Sequence, residues 1–164
     1  MSKQERGNVW LGVAGLVINK RGDWLVVKKR YGGLKGRWSL PAGFVNPDET
    51  IDQAVLREVL EETSVDCTVL SMIGFRSGVL QGKISDNMAI FLLAPLEENP
   101  IIQAQLSELY EVRWMLPTDL VNDPEASVML YEIAKSSLKD GFPTIEGIDP
   151  GEVFGYTSYK LFIK

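Results

Sequence analysis

Three glutamates, Glu58, Glu61 and Glu62, stand at positions i, i+3 and i+4 of the chain. At about 100° per residue of helix, their carboxylates share an arc of about 100° on one face. Val55, Leu56, Val59 and Leu60 fall on a separate arc, which is the face to bury. Adjacent carboxylates repel one another unless positive charge sits among them. A divalent cation meets that need, and hard cations prefer oxygen ligands. A plain solvated acidic face would show the same three residues, so the cluster alone does not decide between the two.

The rest of the composition narrows the chemistry. There is no histidine and one cysteine, Cys67. An ordinary zinc site, a Ser-His-Asp triad and a Cys-His pair are all excluded. Any metal must then sit among oxygen ligands, which favours Mg²⁺, Mn²⁺ or Ca²⁺. Acid–base chemistry falls to carboxylates, lysine or tyrosine. The net charge of −5 argues against gripping a nucleic-acid backbone and for a small phosphorylated ligand bridged by cations. The lone cysteine suits a reducing compartment. The longest apolar runs, 13–18 and 89–95, are too short to cross a bilayer, and the polar start, 1–7, lacks a signal-peptide core. A cytoplasmic protein free of membrane is the expectation.

The elements that must position the glutamates follow from pattern. Residues 9–18 and 24–29 read as strands around a turn at 19–23, an expected hairpin. A glycine-rich basic loop spans 31–36 and a short extended piece 38–40. Thr50 with Gln53 three residues later forms a capping box, and the spacing predicts a helix over 51–63. Strands are expected at 65–75, 88–93 and 112–115, a polar loop at 78–85, a turn at 117–119 and a helix over 125–139. This order gives an α+β or α/β class with a mixed β-sheet between helices, and α+β, built as an α/β/α sandwich, is the expectation. The 164 residues form one domain, 1–164, with 141–164 a C-terminal extension whose end, 156–163, has strand-like composition.

The residues around the cluster overturn the plain reading. In order the chain has Gly43, five residues, Glu49, seven residues, Arg57-Glu58-Val59, one residue, Glu61-Glu62, one residue, Ser64-Val65. This resembles the Nudix box at eight of nine specified positions, with Ser64 where the family has glycine. A chance match at a given start is on the order of 10⁻⁸ at average abundances. The approach through Gly36, Arg37, Trp38 and Pro41-Ala42 is also similar to the family's. The likeness extends more weakly over 9–120 and does not cover 141–164. Ser64 follows the helix, where a left-handed cap is common, so serine there is a modest local cost.

The resemblance implies the Nudix fold and Mg²⁺-dependent hydrolysis of a phosphoanhydride bond in a nucleoside diphosphate linked to another moiety. Glu61 and Glu62 would be the main metal ligands, with Glu58 a further ligand or base. Arg57 would pair with a carboxylate, supported by Glu49, and Gly43 would let the backbone approach the metal closely, its neighbourhood offering a carbonyl. Glu108, ahead of Trp114, matches an acidic position that the family often carries, and is the expected catalytic base, with Glu58 and Glu111 as competitors. Among Lys28, Lys29 and Arg30 at the end of a strand, Arg30 is favoured for a distal phosphate. Phe75 and Arg76 are candidates for the substrate pocket. Trp38 and Trp114 fit core packing better than base stacking. Cys67 reads as a small buried residue. The partner is a small-molecule nucleotide, and a homodimer is compatible with the reading.

Two other functions fit the sequence less well. A prenyl diphosphate isomerase of similar fold leans on a cysteine ahead of the box, whereas Cys67 follows it. A non-catalytic nucleotide or nucleotide-sugar sensor often loses box carboxylates or carries a DNA-binding domain. Here the carboxylates are intact, and the extension is too short for such a domain. Nucleoside triphosphates, nucleotide sugars such as ADP-ribose and dinucleoside polyphosphates all remain substrates within the class.

Overall fold

The computed structural model describes residues 6–136, 138, 140–152 and 156–162. Local chemistry sets the box helix, α1 (Ile51–Thr63): the reciprocal Thr50–Gln53 capping box starts it and Ser64, in the left-handed region at φ 64°, stops it. The remaining elements are β1 (Val9–Val17), β2 (Trp24–Lys29), β3 (Trp38–Ser39), β4 (Ala42–Phe44), β5 (Cys67–Leu80), β6 (Ile84–Pro95), β7 (Leu109–Met115), α2 (Pro117–Asn122), α3 (Val128–Lys135), β8 (Thr144–Ile145) and β9 (Leu161–Phe162).

A four-stranded sheet runs β4-β1-β6-β5 and a three-stranded sheet β3-β2-β7. β1 and β6 are parallel over nine pairs, and the other pairings are antiparallel, so the sheet is mixed as expected. Alternation along the strands makes two cores. Val13, Val17, Leu25, Ala89, Phe91 and Leu93 pack under Val55 and Val59 of α1. Ala14, Leu16, Trp24, Val26 and Ile90 pack against Leu120 of α2 and Leu130 of α3. The result is the anticipated sheet layer between helices.

Several expectations needed correction. β1 and β2 are not a hairpin: one bridge, Ile18 to Trp24, links them, and each joins a different sheet. The long parallel partner of β1 lies some 70 residues onward, which local pattern cannot reveal. The polar loop at 78–85 is instead the end of a long β5–β6 hairpin, turning at 81–83. Residues 117–119 begin α2, where a proline suits the first helical turn. The second predicted helix starts later, at Val128, capped by Ser127, and ends at Lys135, while Ser137 and Lys139 lie outside the described residues. Of the strand-like tail at 156–163, only β9 forms a strand, and position 163 is also outside the described residues.

Candidate active site

Arg57 organises the site. Its Nε and Nη2 donate to the two oxygens of Glu49 at 2.9 and 2.6 Å, the bidentate geometry that arginine favours. Nη2 also donates to the Phe44 carbonyl at 3.0 Å, and Nη1 donates to Glu58 at 2.8 Å and Glu61 at 3.3 Å. The hydrogen bonds from Arg57 hold the Glu49 carboxyl below its ordinary range. They likewise hold the guanidinium proton more firmly. Burial pushes Glu58 up, and the charges of Glu61 and Glu108 add to that against the pull of Arg57.

Gly43 forms the floor. A Cβ there would lie 2.1 Å from the Glu58 carboxyl carbon, so only glycine admits the carboxylate at this depth. Gly43 pairs with Val13 across the β1–β4 ladder. The neighbouring bonds, Gly15 N–H to the Pro41 carbonyl and Val45 N–H to the Leu11 carbonyl, fix the ladder's phase. At Ala42 the peptide groups therefore point away from β1 toward α1, and its N–H donates to Glu62 at 3.3 Å. The Ala42 carbonyl, like the Phe44 carbonyl that accepts from Arg57, therefore faces away from β1 beside Gly43.

Glu62 is 1% exposed. Lys29 Nζ sits 2.9 Å from its other oxygen, yet burial still pushes the carboxyl up to about 7. Glu61 is half exposed, and its contact with Arg57 is the longest of that network. Among the described residues, no three acidic or cysteine side chains converge on one point as they stand, because Arg57 draws Glu58 and Glu61 while Lys29 holds Glu62. The donor set nevertheless suits a hard cation: three carboxylates and a carbonyl, all oxygen, around a cradle that a Cβ would fill.

Glu108 lies at the rim, exposed, just before β7, and its carbonyl accepts from Arg30 N–H at 2.9 Å. Its carboxylate makes no ion pair among the described residues, unlike Glu111, which is committed to Arg113. A cavity of about 440 Å³ opens here between Lys29, Tyr31, Ser107 and Glu108. Arg30 lies over the Tyr110 ring at 4.7 Å, and its buried Nε has no hydrogen-bond partner among the described residues. The structure thus brings together Arg57, Glu58, Glu61, Glu62 and Gly43, with Glu108 close enough for its charge to act on Glu58, whereas, among the described residues, Arg30 meets this group only through its backbone bond to Glu108.

Phe75 and Arg76 do not join them as a pair. Adjacent on β5, they take opposite faces, Phe75 opposite Ala89 and Arg76 opposite Met88, at the sheet edge away from β4. Arg76 is ion-paired with Asp86 at 2.8 Å. Trp38 is buried between Lys28 and Arg113, and Trp114 packs in the core under α1, as core packing requires. Cys67 is half-buried in β5, where burial and Asp66 push its thiol up to about 12. Sequence reasoning missed the Lys29–Glu62 pair and the Ala42 amide, which join residues 33 and 20 positions apart. It also missed Trp10, whose ring meets Phe44 edge-on at 5.6 Å beside a cavity of about 460 Å³.

The NUDIX domain family matches residues 10–135. Nudix hydrolase 8 of Arabidopsis thaliana is 37% identical over 117 residues, covering 70% of this chain and 31% of that protein. The ADP-ribose pyrophosphatase of Methanocaldococcus jannaschii is 39% identical over 61 residues, 37% of this chain and 36% of that one. Among solved structures, the NUDIX domain of Shewanella oneidensis NrtR complexed with ADP ribose superposes with a TM-score of 0.65 at 20% identity, covering 82% of this chain and 92% of that one. The chain spans less than half the length of the plant relatives it matches. Among the described residues, no helix is long and apolar enough to cross a membrane.

Proposed function

The chain belongs to the NUDIX domain family, and on that premise we propose that it hydrolyses a phosphoanhydride bond in a nucleoside diphosphate linked to another moiety, with Mg²⁺ or Mn²⁺. The observation that carries the reading is the Arg57 network, which gathers Glu49, Glu58 and Glu61 over the Gly43 cradle. Glu58, Glu61, Glu62 and the Ala42 carbonyl would hold the cation. When bound, the cation neutralises the pyrophosphate and lowers the pKa of an attacking water.

The chain's own groups do the rest. Arg57 holds Glu58 and Glu61 beside the cradle, from which their oxygens must turn inward to meet the cation. Glu108, free of Arg57 and across from Glu58, accepts the proton of the attacking water. Arg30, joined to Glu108 through the backbone, takes a distal phosphate oxygen once its guanidinium leaves the Tyr110 ring. Nucleotide sugars are the first class to try, because a relative matched over 37% of this chain is named for ADP-ribose.

The test is a nucleotide panel with products read by mass spectrometry, followed by single-turnover rates against pH. Glu61→Gln should lose roughly 100-fold or more, since changes in supporting groups alone cost about 10–100-fold. Glu108→Gln should lose roughly 10²–10⁴-fold with substrate binding little changed. Activity that survives exhaustive chelation would sink the mechanism. An unchanged rate in Glu108→Gln beside a collapse in Glu58→Gln would move the base onto α1.

A further inference from the structure

The C-terminal extension lies outside the span that the family covers, residues 10–135, yet it is tied to the box helix. Asp52, the second residue of α1, is buried, and a buried carboxylate needs a partner. The partner comes from 108 residues onward: Lys160 Nζ lies 2.5 Å from Asp52 Oδ2 and 3.2 Å from Thr50 Oγ1, the helix cap itself. Glu146, also in the extension, lies 3.4 Å from the same ammonium.

Two further contacts tie the extension to the rest of the domain, and a third closes it on itself. Phe142 and Met72 exchange two backbone hydrogen bonds of 2.8 Å on β5. Thr144 and Ile145 pair with Phe162 and Leu161. The Phe162 ring meets Phe91, a core side chain beneath α1, edge-on at 5.5 Å. The described residues of the extension, 141–152 and 156–162, are therefore anchored on the far edge of the sheet and in the core, with the half-buried Lys160 set at the start of α1. The residue before Thr50 is Glu49, which Arg57 grips in two hydrogen bonds.

We propose that Lys160 is a positioning residue that, through Asp52 and Thr50, fixes the first turn of α1 and with it the Glu49–Arg57 arm over the Gly43 cradle. The proposal rests on the reading of that cradle as a divalent-cation site. The test uses the full chain as Lys160→Met and Lys160→Arg, well below the melting temperature. Hydrogen exchange would be followed at the amides of 53–57 and, as an internal reference, in α3, and Mn²⁺ binding would be read by electron paramagnetic resonance.

In Lys160→Met, exchange at 53–57 should quicken by roughly tenfold or more while α3 is unmoved. Mn²⁺ affinity should fall by about 10-fold, the low end for losing a supporting group. Lys160→Arg should restore both. Unchanged exchange at 53–57, or equal quickening throughout, would overturn the proposal. So would Mn²⁺ affinity that holds while the first turn loosens. If Lys160→Met does not fold, Asp52→Asn removes the same pair and is read by the same two measurements. A wild-type protein that binds Mn²⁺ but hydrolyses no nucleotide counts against the functional reading alone, since neither measurement uses turnover.

Discussion

Glu62 is a carboxylate almost wholly withdrawn from water, and burial pushes it up to about 7 against the pull of Lys29. Its folded value lies above the unfolded one. Its contribution to stability is therefore full at low pH and is lost as pH rises from the ordinary carboxylate range through about 7. Cation binding follows the opposite slope, because ligation needs the charged form and must release the proton. Mn²⁺ affinity is thus expected to rise with pH across that window. Calorimetry near pH 6.5 in two buffers of different ionisation enthalpy should show the release of a fraction of a proton, abolished in Glu62→Gln. Identical heats in both buffers for the wild-type protein would mean that Glu62 is already ionised or is not a ligand. At this scale the spacing of the box named the carboxylates and Arg57. It could not name Lys29 or the Ala42 amide, whose nearness to Glu62 comes from the fold.

Helix α1 is the element most legible in the sequence, because its cap, apolar stripe and stop are all local. Its end is also the one place where the box departs from the family, and there Ser64 adopts φ 64° and ψ 17° with its N–H donating to the Leu60 carbonyl. A Cβ in the left-handed region costs about 1–2 kcal/mol, part of which glycine returns as entropy of the unfolded chain. Ser64→Gly should therefore gain roughly 0.5–1 kcal/mol, seen as a higher urea midpoint at unchanged m-value. Turnover should stay as it is, since Ser64 is exposed and takes no part in the Arg57 network. A lower midpoint would reveal a contact made by the serine. The strands were less legible for a physical reason. Alternation shows that β1 and β2 are strands, but pairing is decided by which faces bury together. β1 is apolar on both faces because helices cover both, and its parallel partner β6 is distant in sequence. The long β5–β6 hairpin was cut short at Gly78 and Ser85 because its tip is exposed and polar, which reads as loop.

Across the whole molecule, the sheet layer, the box helix and the extension depend on one another. The composition of the extension, rich in glycine and proline at its start, gave no sign of this. Removing residues 141–164 would leave Asp52 buried without Lys160 and would uncover Phe91 where Phe162 now packs. Breaking a buried ion pair from one side costs about 3 kcal/mol, and losing the burial of a large apolar side chain about 1.5–3 kcal/mol. A domain of this size holds only about 5–15 kcal/mol in all. The shortened chain should therefore melt many degrees lower, far beyond what trimming a solvated tail would do. Replacing Asp52 by Asn in the shortened chain should recover part of the loss, because the neutral side chain no longer leaves a charge unpaired, whereas the same change in the full chain should cost stability by stranding Lys160. That reversal of sign separates an integral strap from an appendage. A shortened chain that melts with the full one, or an Asp52→Asn effect of the same sign in both, would show that the core and the box stand without it.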